Sequence, residues 1–285
     1  MKNFKTLASL LLVSMIVFSC QSNKNADLKE ALTFYTSFDA GTTADFAKGD
    51  AELYSAPNRR NQDSIIVGLD NEIHKITAGA GLQGDALRFT KRDRRVAYYK
   101  SKDNIAYDAK SWSGTISFWL KVDPETELEP GFTDPIQITD VAYNDASIWV
   151  DFTQDTPRKF RLGVLGDLTD WSQDTLKTSR RTEYAKRLVV VEPPHFSQEA
   201  WTHVVITHKE LGTTSGISTL YLDGKDMGSI SGNDDVFNWE LEKSNIYLGL
   251  SFVGMLDELS IYNKAFTPEL VEKLFSLKAG LKSIL

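Results

Sequence analysis

Asp257 and Glu258 stand side by side in MLDELSIY (255–262), whose alternation reads as a half-buried strand. A carboxylate is uncommon there, because burying one without a partner is costly. Such a pair can help ligate a hard cation, cap backbone amides or meet a lysine or arginine; these scaffold roles rank ahead of catalysis. A different chemistry is offered by the polar stretch GDLTDWSQDTLKTSRRTEYAK (166–186), which carries Trp171, Arg180, Arg181 and Tyr184. Aromatic rings can stack on an apolar ligand face, and guanidinium groups suit hydroxyl, carboxylate or sulfate groups. Trp239 in NDDVFNWELEK, and Tyr143 with Asn144 in VAYNDAS, are weaker candidates of the same kind. The bland reading of each is a partly buried loop aromatic or a solvated charge.

Nucleophilic and zinc chemistry find no support. There is no G-x-S-x-G, no H-E-x-x-H and no Cys/His cluster. His203 and His208, five apart on one predicted strand, face opposite ways and read as packed or solvated. His195 follows Pro193 and Pro194 and reads as a loop residue. The acid-rich PETELEP (124–130) lies between prolines and reads as solvated.

Short runs rich in β-branched and aromatic residues must position these groups. They include TFYTSF (33–38), RVAYYK (95–100), GTISFWLKV (114–122), PIQITDV (135–141), ASIWVDF (146–152), KFRLGVLG (159–166), WTHVVITHK (201–209) and NIYLGL (245–250). About a dozen such runs, separated by Gly, Pro, Asp and Asn, predict an all-β, two-sheet antiparallel sandwich. Asp223-Gly224 between two of them signals a tight hairpin. TPELVEKLF (267–275) is the helical exception, with Thr267 as N-cap and Pro268 at the first helical position. Its Leu270, Val271, Leu274 and Phe275 share one face. Residues 49–84, which hold Arg59, Arg60 and His74, and residues 166–186 are long enough to be functional loops.

The 285-residue chain carries a formal charge of −7. That argues against nucleic acid and against electrostatic docking on anionic lipid, and suits a neutral ligand or calcium. Lys2 and Lys5 precede an apolar run from Leu7 to Phe18 that is too short for a membrane span of ~20 residues. The run ends in VFSC. Cys20 is the only cysteine in the sequence, so it can form no internal disulfide. This start resembles the lipobox of bacterial lipoproteins, which implies cleavage before Cys20 and its lipidation; an ordinary signal peptide is the alternative. Residues 1–20 are thus expected to be a signal peptide, 21–32 a polar tether and 33–285 one domain, lipid-anchored to a bacterial outer membrane.

GTISFWLKVDP, WTHVVITHK, STLYLDGK and GMLDELSIYN together resemble the LamG-like jelly-roll domains of the concanavalin A-like lectin/glucanase superfamily. The resemblance spans roughly residues 33–277 and is most specific in its last third; residues 125–195 fit it least. It implies a jelly-roll sandwich closed by a short helix. It also implies a structural calcium on the last core strand, with Asp257 as ligand, Asp39 as partner and Asp45 as a weaker one. The superfamily includes enzymes, but the E-x-D-x-x-E strand of its retaining glucanases is missing here. PIQIT and RTEY resemble fragments of alginate-lyase strands in the wrong order, with Thr139 in place of a histidine, and read as coincidence.

The expected function is therefore a non-catalytic, envelope-anchored carbohydrate-binding module for a polysaccharide or glycan, using Trp171, Arg180, Arg181, Tyr184, Trp239 and Tyr143. A protein-interaction or adhesion domain is the alternative, and would show a patch with little groove. A hydrolase or lyase comes third, and would show titratable groups converging in a cleft.

Overall fold

A computed structural model describes residues 24–59, 64–70, 72–172 and 177–285. Cys20 and the signal segment lie outside the described residues. Two antiparallel sheets pack face to face. The first sheet has the order β15-β14-β13-β8-β17-β1-β2, with β6 paired to β17 and β5 to β6. Its strands are β1 (Leu32–Thr36), β2 (Phe46–Ala47), β5 (His74–Thr77), β6 (Ala86–Phe89), β8 (Trp112–Lys121), β13 (Thr202–Leu211), β14 (Ile217–Leu222), β15 (Lys225–Ser231) and β17 (Gly254–Tyr262). The second has the order β12-β11-β10-β9-β16-β7-β3-β4. It comprises β3 (Tyr54–Ala56), β4 (Ile66–Val67), β7 (Val96–Lys100), β9 (Thr133–Thr139), β10 (Ser147–Phe152), β11 (Phe160–Leu165), β12 (Leu188–Val191) and β16 (Asn245–Leu250). This is the jelly-roll sandwich expected from the sequence.

Strand alternation sorts side chains between the core and the outer faces. In the first sheet Ile116, Phe118, Leu120, Val204 and Ile206 face the core, where they meet Ile136, Ile138, Ile148, Val150, Phe160, Leu162, Ile246 and Leu248 of the second. His208 points inward against Trp112, with ring centroids 4.2 Å apart. His203 points outward, stacks on Trp119 and meets the Ser117 hydroxyl at 2.8 Å. Burial pushes both histidines down to about 3, so each is neutral and packed. Asp223 and Gly224 both take positive φ, 50° and 77°, in the predicted hairpin.

The outer face of the first sheet is covered by the chain ends. Residues 24–31, expected to be part of a tether, form a helix, α1. Leu28 and Ala31 are buried against Tyr35, Val205, Tyr221 and Tyr262, so apolar burial overrides the segment's polar composition. A C-terminal helix (Pro268–Ser276) buries Val271 and Leu274 on the same face, and a 3₁₀ turn (Leu281–Ser283) closes it. Thr267 sits at the N-cap but makes no side-chain cap bond. No helix among the described residues is long and apolar enough to cross a membrane.

Both long polar stretches contain regular structure. Residues 49–84 hold β3, β4 and β5, and residues 166–186 hold α2 (Leu168–Trp171) and α3 (Lys177–Ala185). With these two counted, the C-terminal helix is α4.

Candidate functional site

A cleft of about 1100 Å³ opens on the outer face of the second sheet. Trp149 and Gln137 of its floor belong to a row of directly paired residues across the sheet: Gly163 opposite Trp149, Trp149 opposite Gln137, Gln137 opposite Tyr247 and Tyr247 opposite Tyr98. A Cβ on Gly163 would lie 2.2 Å from the Trp149 ring, so only glycine leaves room for the indole. Beside that row, Val150 pairs with Ile136 and Phe152 with Thr133, leaving Asp151 opposite two residues, Asp134 and Pro135. The bulge brings Asp134 to the face that already carries Gln137 and Asp151.

Gln137, Asp134, Asp151 and two arginines bond to one another on this face. The Gln137 amide nitrogen donates to Asp134 at 2.8 Å, and its oxygen accepts from Arg59. Arg59 comes from the segment after β3, donates to the Val141 carbonyl at 2.9 Å and lies over the Tyr247 ring. Asp151 receives two bonds from Arg161, at 2.8 and 2.5 Å, and the same guanidinium lies over Phe132 and Trp149. Burial, and then the Asp151 charge, push the half-buried Asp134 carboxyl up to about 8. Burial also raises Asp151, while Arg161 opposes that shift.

The loop between β9 and β10 forms one wall, held by two indoles. Trp149 donates to the Tyr143 carbonyl at 2.6 Å and Trp171 to the Asn144 carbonyl at 3.1 Å. Tyr143 consequently stands out at 52% exposure on the rim, near Phe132 at 43%. The segment carrying α2 and α3 adjoins that loop, the Leu168 amide donating to Asp145 at 2.8 Å. Its end is anchored by buried Arg187, which grips Asp235 with two 2.5 Å bonds, donates to the Glu183 carbonyl and lies over Trp171. Arg180, Arg181 and Tyr184 of α3 line the cleft.

Five of the six residues predicted to bind a ligand thus meet in one place: Trp171, Arg180, Arg181, Tyr184 and Tyr143. Trp171 serves as a wall, however, because packing against Trp149 and Leu165 leaves it only 6% exposed. Trp239 is a correction. It is buried against Trp112, Tyr107 and Phe237, donates to the Ala146 carbonyl and does not line the cleft. Asp134, Asp151, Arg161 and Phe132 escaped the sequence reading. Asp151 carried the same signal as Asp257, an acid inside an apolar strand. Gln137 of PIQIT and Arg181 and Tyr184 of RTEY share this cleft, whereas the Thr139 hydroxyl turns to the Ala142 and Asp145 carbonyls.

Asp257 and Glu258 sit at a second bulge, between β17 and β8, with Glu258 at φ 53°. Asp257 accepts from the Leu82 amide at 2.6 Å and the Glu258 amide at 2.8 Å, and Asp39 accepts from the Asp85 amide at 2.9 Å. Asp45 accepts from Ser37 and Lys282. Glu258 receives the Tyr35 hydroxyl and the Leu281 amide, which pins the 3₁₀ turn. Calcium takes six to eight oxygens aimed at one centre. These carboxylates accept from amides, and no three Asp, Glu, His or Cys side chains group as metal ligands among the described residues. As placed, Asp39, Asp257 and Glu258 cap backbone amides.

Comparison with known proteins agrees with this architecture. A botulinum neurotoxin type C structure, described by cell entry dependent on two ganglioside molecules, is 12% identical with a TM-score of 0.58; 91% of this chain and 53% of that one are covered. Domain 4 of an extracellular arabinanase from Geobacillus stearothermophilus, in complex with arabinotriose, is 19% identical with a TM-score of 0.48, covering 86% and 98%. A sialidase CBM40 from Ruminococcus gnavus bound to sialyllactose is 10% identical with a TM-score of 0.44, covering 67% and 96%. At these identities the likeness concerns the fold alone. No curated protein matches the chain. A family model matches residues 97–272, the whole span from β7 into α4, and the chain belongs to the concanavalin A-like lectin/glucanases superfamily.

Proposed function

We propose that this protein is a non-catalytic glycan-binding module, and that the cleft on the second sheet is its binding site. The observation that carries the reading is the pairing of exposed rings, Phe132 and Tyr143, with a prearranged polar floor, Arg59–Gln137–Asp134 and Arg161–Asp151. Rings take the apolar faces of sugars, and fixed donors and acceptors take their hydroxyls. Dependence on gangliosides in the neurotoxin of like fold supports the reading. The depth of the cleft argues against a flat adhesion surface. Isothermal titration against an oligosaccharide panel tests the proposal: Tyr143→Ala and Phe132→Ala are expected to weaken the best ligand about tenfold each. No binding across the panel, or binding untouched by both changes, overturns it.

One observation favours a second reading, a glycoside hydrolase. Asp134, held protonated to about pH 8, adjoins Asp151, which is paired with Arg161. A raised acid beside a second carboxylate is the arrangement that glycoside hydrolysis uses. Release of reducing ends by the protein, lost in Asp134→Asn, would establish it; none from any bound glycan sinks it.

Envelope anchoring through Cys20 is part of the proposal. Labelling of the protein by fatty acid in a bacterial host, abolished by Cys20→Ala, is the expected result. Calcium at Asp39 and Asp257 would share carboxylate oxygens that already accept from backbone amides. A melting temperature raised by millimolar calcium and unresponsive in Asp257→Asn supports it, and an indifferent wild type rejects it.

A further inference from the structure

Resting on the glycan reading, we infer that the ligand is acidic: an oligosaccharide carrying carboxylate or sulfate groups, read by the arginines of the cleft. Six arginines line it, Arg59, Arg94, Arg95, Arg161, Arg180 and Arg181, against three aspartates, Asp93, Asp134 and Asp151. Two of the six are committed. Arg161 is paired with Asp151, and Arg95 with Asp70, Glu72 and Asp93. The other four have no carboxylate partner among the described residues. Arg59 is turned to a side-chain amide and a carbonyl, and Arg94, Arg180 and Arg181 are exposed. Asp134, the one aspartate of the cleft with no cation bonded to it, shares its hydrogen bond with Gln137 and is held mostly neutral at pH 7.

The cleft is therefore a cationic recess on a chain whose formal charge is −7. Such a contrast focuses the field on one place and draws anions there while the rest of the surface repels them. Guanidinium forks bind carboxylate and sulfate oxygens in pairs, which fixes orientation as well as supplying attraction. The arginines come from separate segments, after β3, before β7, on β11 and on α3. Charges so spread suit several acidic units along a chain better than one isolated anion.

The test compares oligogalacturonate, dextran sulfate and neutral dextran by isothermal titration with the whole protein, at low and high salt. The wild type is expected to bind one or both acidic glycans at least tenfold more tightly than dextran, and to weaken with salt. The exposed pair Arg180→Gln/Arg181→Gln is expected to lose about tenfold or more on the preferred acidic ligand. Lys209→Gln/Lys225→Gln, equal in charge change but on the other sheet, is expected to lose nothing. The two acidic probes separate carboxylate from sulfate recognition. Dextran bound as tightly as either overturns the inference and leaves the glycan reading standing. Equal loss in both double variants reduces the affinity to overall charge and also overturns it. Silence toward all three, with the panel above also silent, removes both.

Discussion

At the residue scale, Asp134 links the cleft to folding. Its carboxyl keeps a proton to about pH 8, whereas the unfolded group releases it near 3.8. Its contribution to stability is therefore full below about pH 4 and fades as pH rises toward 8. Asp134→Asn keeps an acceptor for Gln137 and is expected to flatten the fall in urea-melt stability between pH 5 and pH 8. A slope unchanged from wild type contradicts the assigned shift. Asp257, also pushed up to about 8, leaves a remainder. On the acid side, His74, His203 and His208 are held neutral by burial, down to about 4, 3 and 3. Their contribution is present above pH 6.5 and is lost below it, opposite in sense to that of Asp134, so His208→Phe is expected to remove part of the stability loss that acidification from pH 6.5 to pH 4.5 draws from these histidines, read as a difference from wild type in urea melts. Some of this was legible in the chain. The outward and inward turns of His203 and His208 follow from their odd spacing. Arg180, Arg181 and Tyr184 stood out as polar and aromatic groups in a long loop. Trp239 misled, because an aromatic in an acidic loop can still fold back onto the core, and nothing local marks which way it turns.

At the element scale, strands carried the strongest signal, since alternation and turn residues are properties of neighbours in sequence. Every run quoted from the sequence is a strand, and α4 begins at the predicted proline. The short strands β2 to β5 and the helices α2 and α3 were not legible. They are held by distant partners, such as the Arg187–Asp235 ion pair under the α3 insertion. A catalytic or binding pair sought along one strand is also missed when it forms across two, as Asp134 and Asp151 do at the β9–β10 bulge. The fit of Gly163 beneath Trp149 gives a prediction at this scale. Gly163→Ala forces the indole to move and is expected to cost about 1–3 kcal/mol. It should also loosen Tyr143, whose carbonyl the indole holds, and weaken glycan binding. Wild-type melting and binding in that variant would show that the floor tolerates the extra methyl.

At the scale of the whole molecule, the N-terminal helix belongs to the domain rather than to a linker. Leu28 is fully buried, and Leu28→Ala is expected to lower stability by about 3 kcal/mol, read from chemical melts. A neutral result would return residues 24–31 to the role of a tether. The jelly roll itself was readable because many weak strand signals agreed, while the cleft depended on residues brought together from segments far apart in sequence. The same architecture sets direction. The first described residues, the C-terminal turn and α4 all lie against one sheet, and the cleft opens on the outside of the other. A molecule held from its residue-24 side would turn the cleft toward the surroundings. Copies crowded side by side on one support would leave every cleft accessible to a passing polymer.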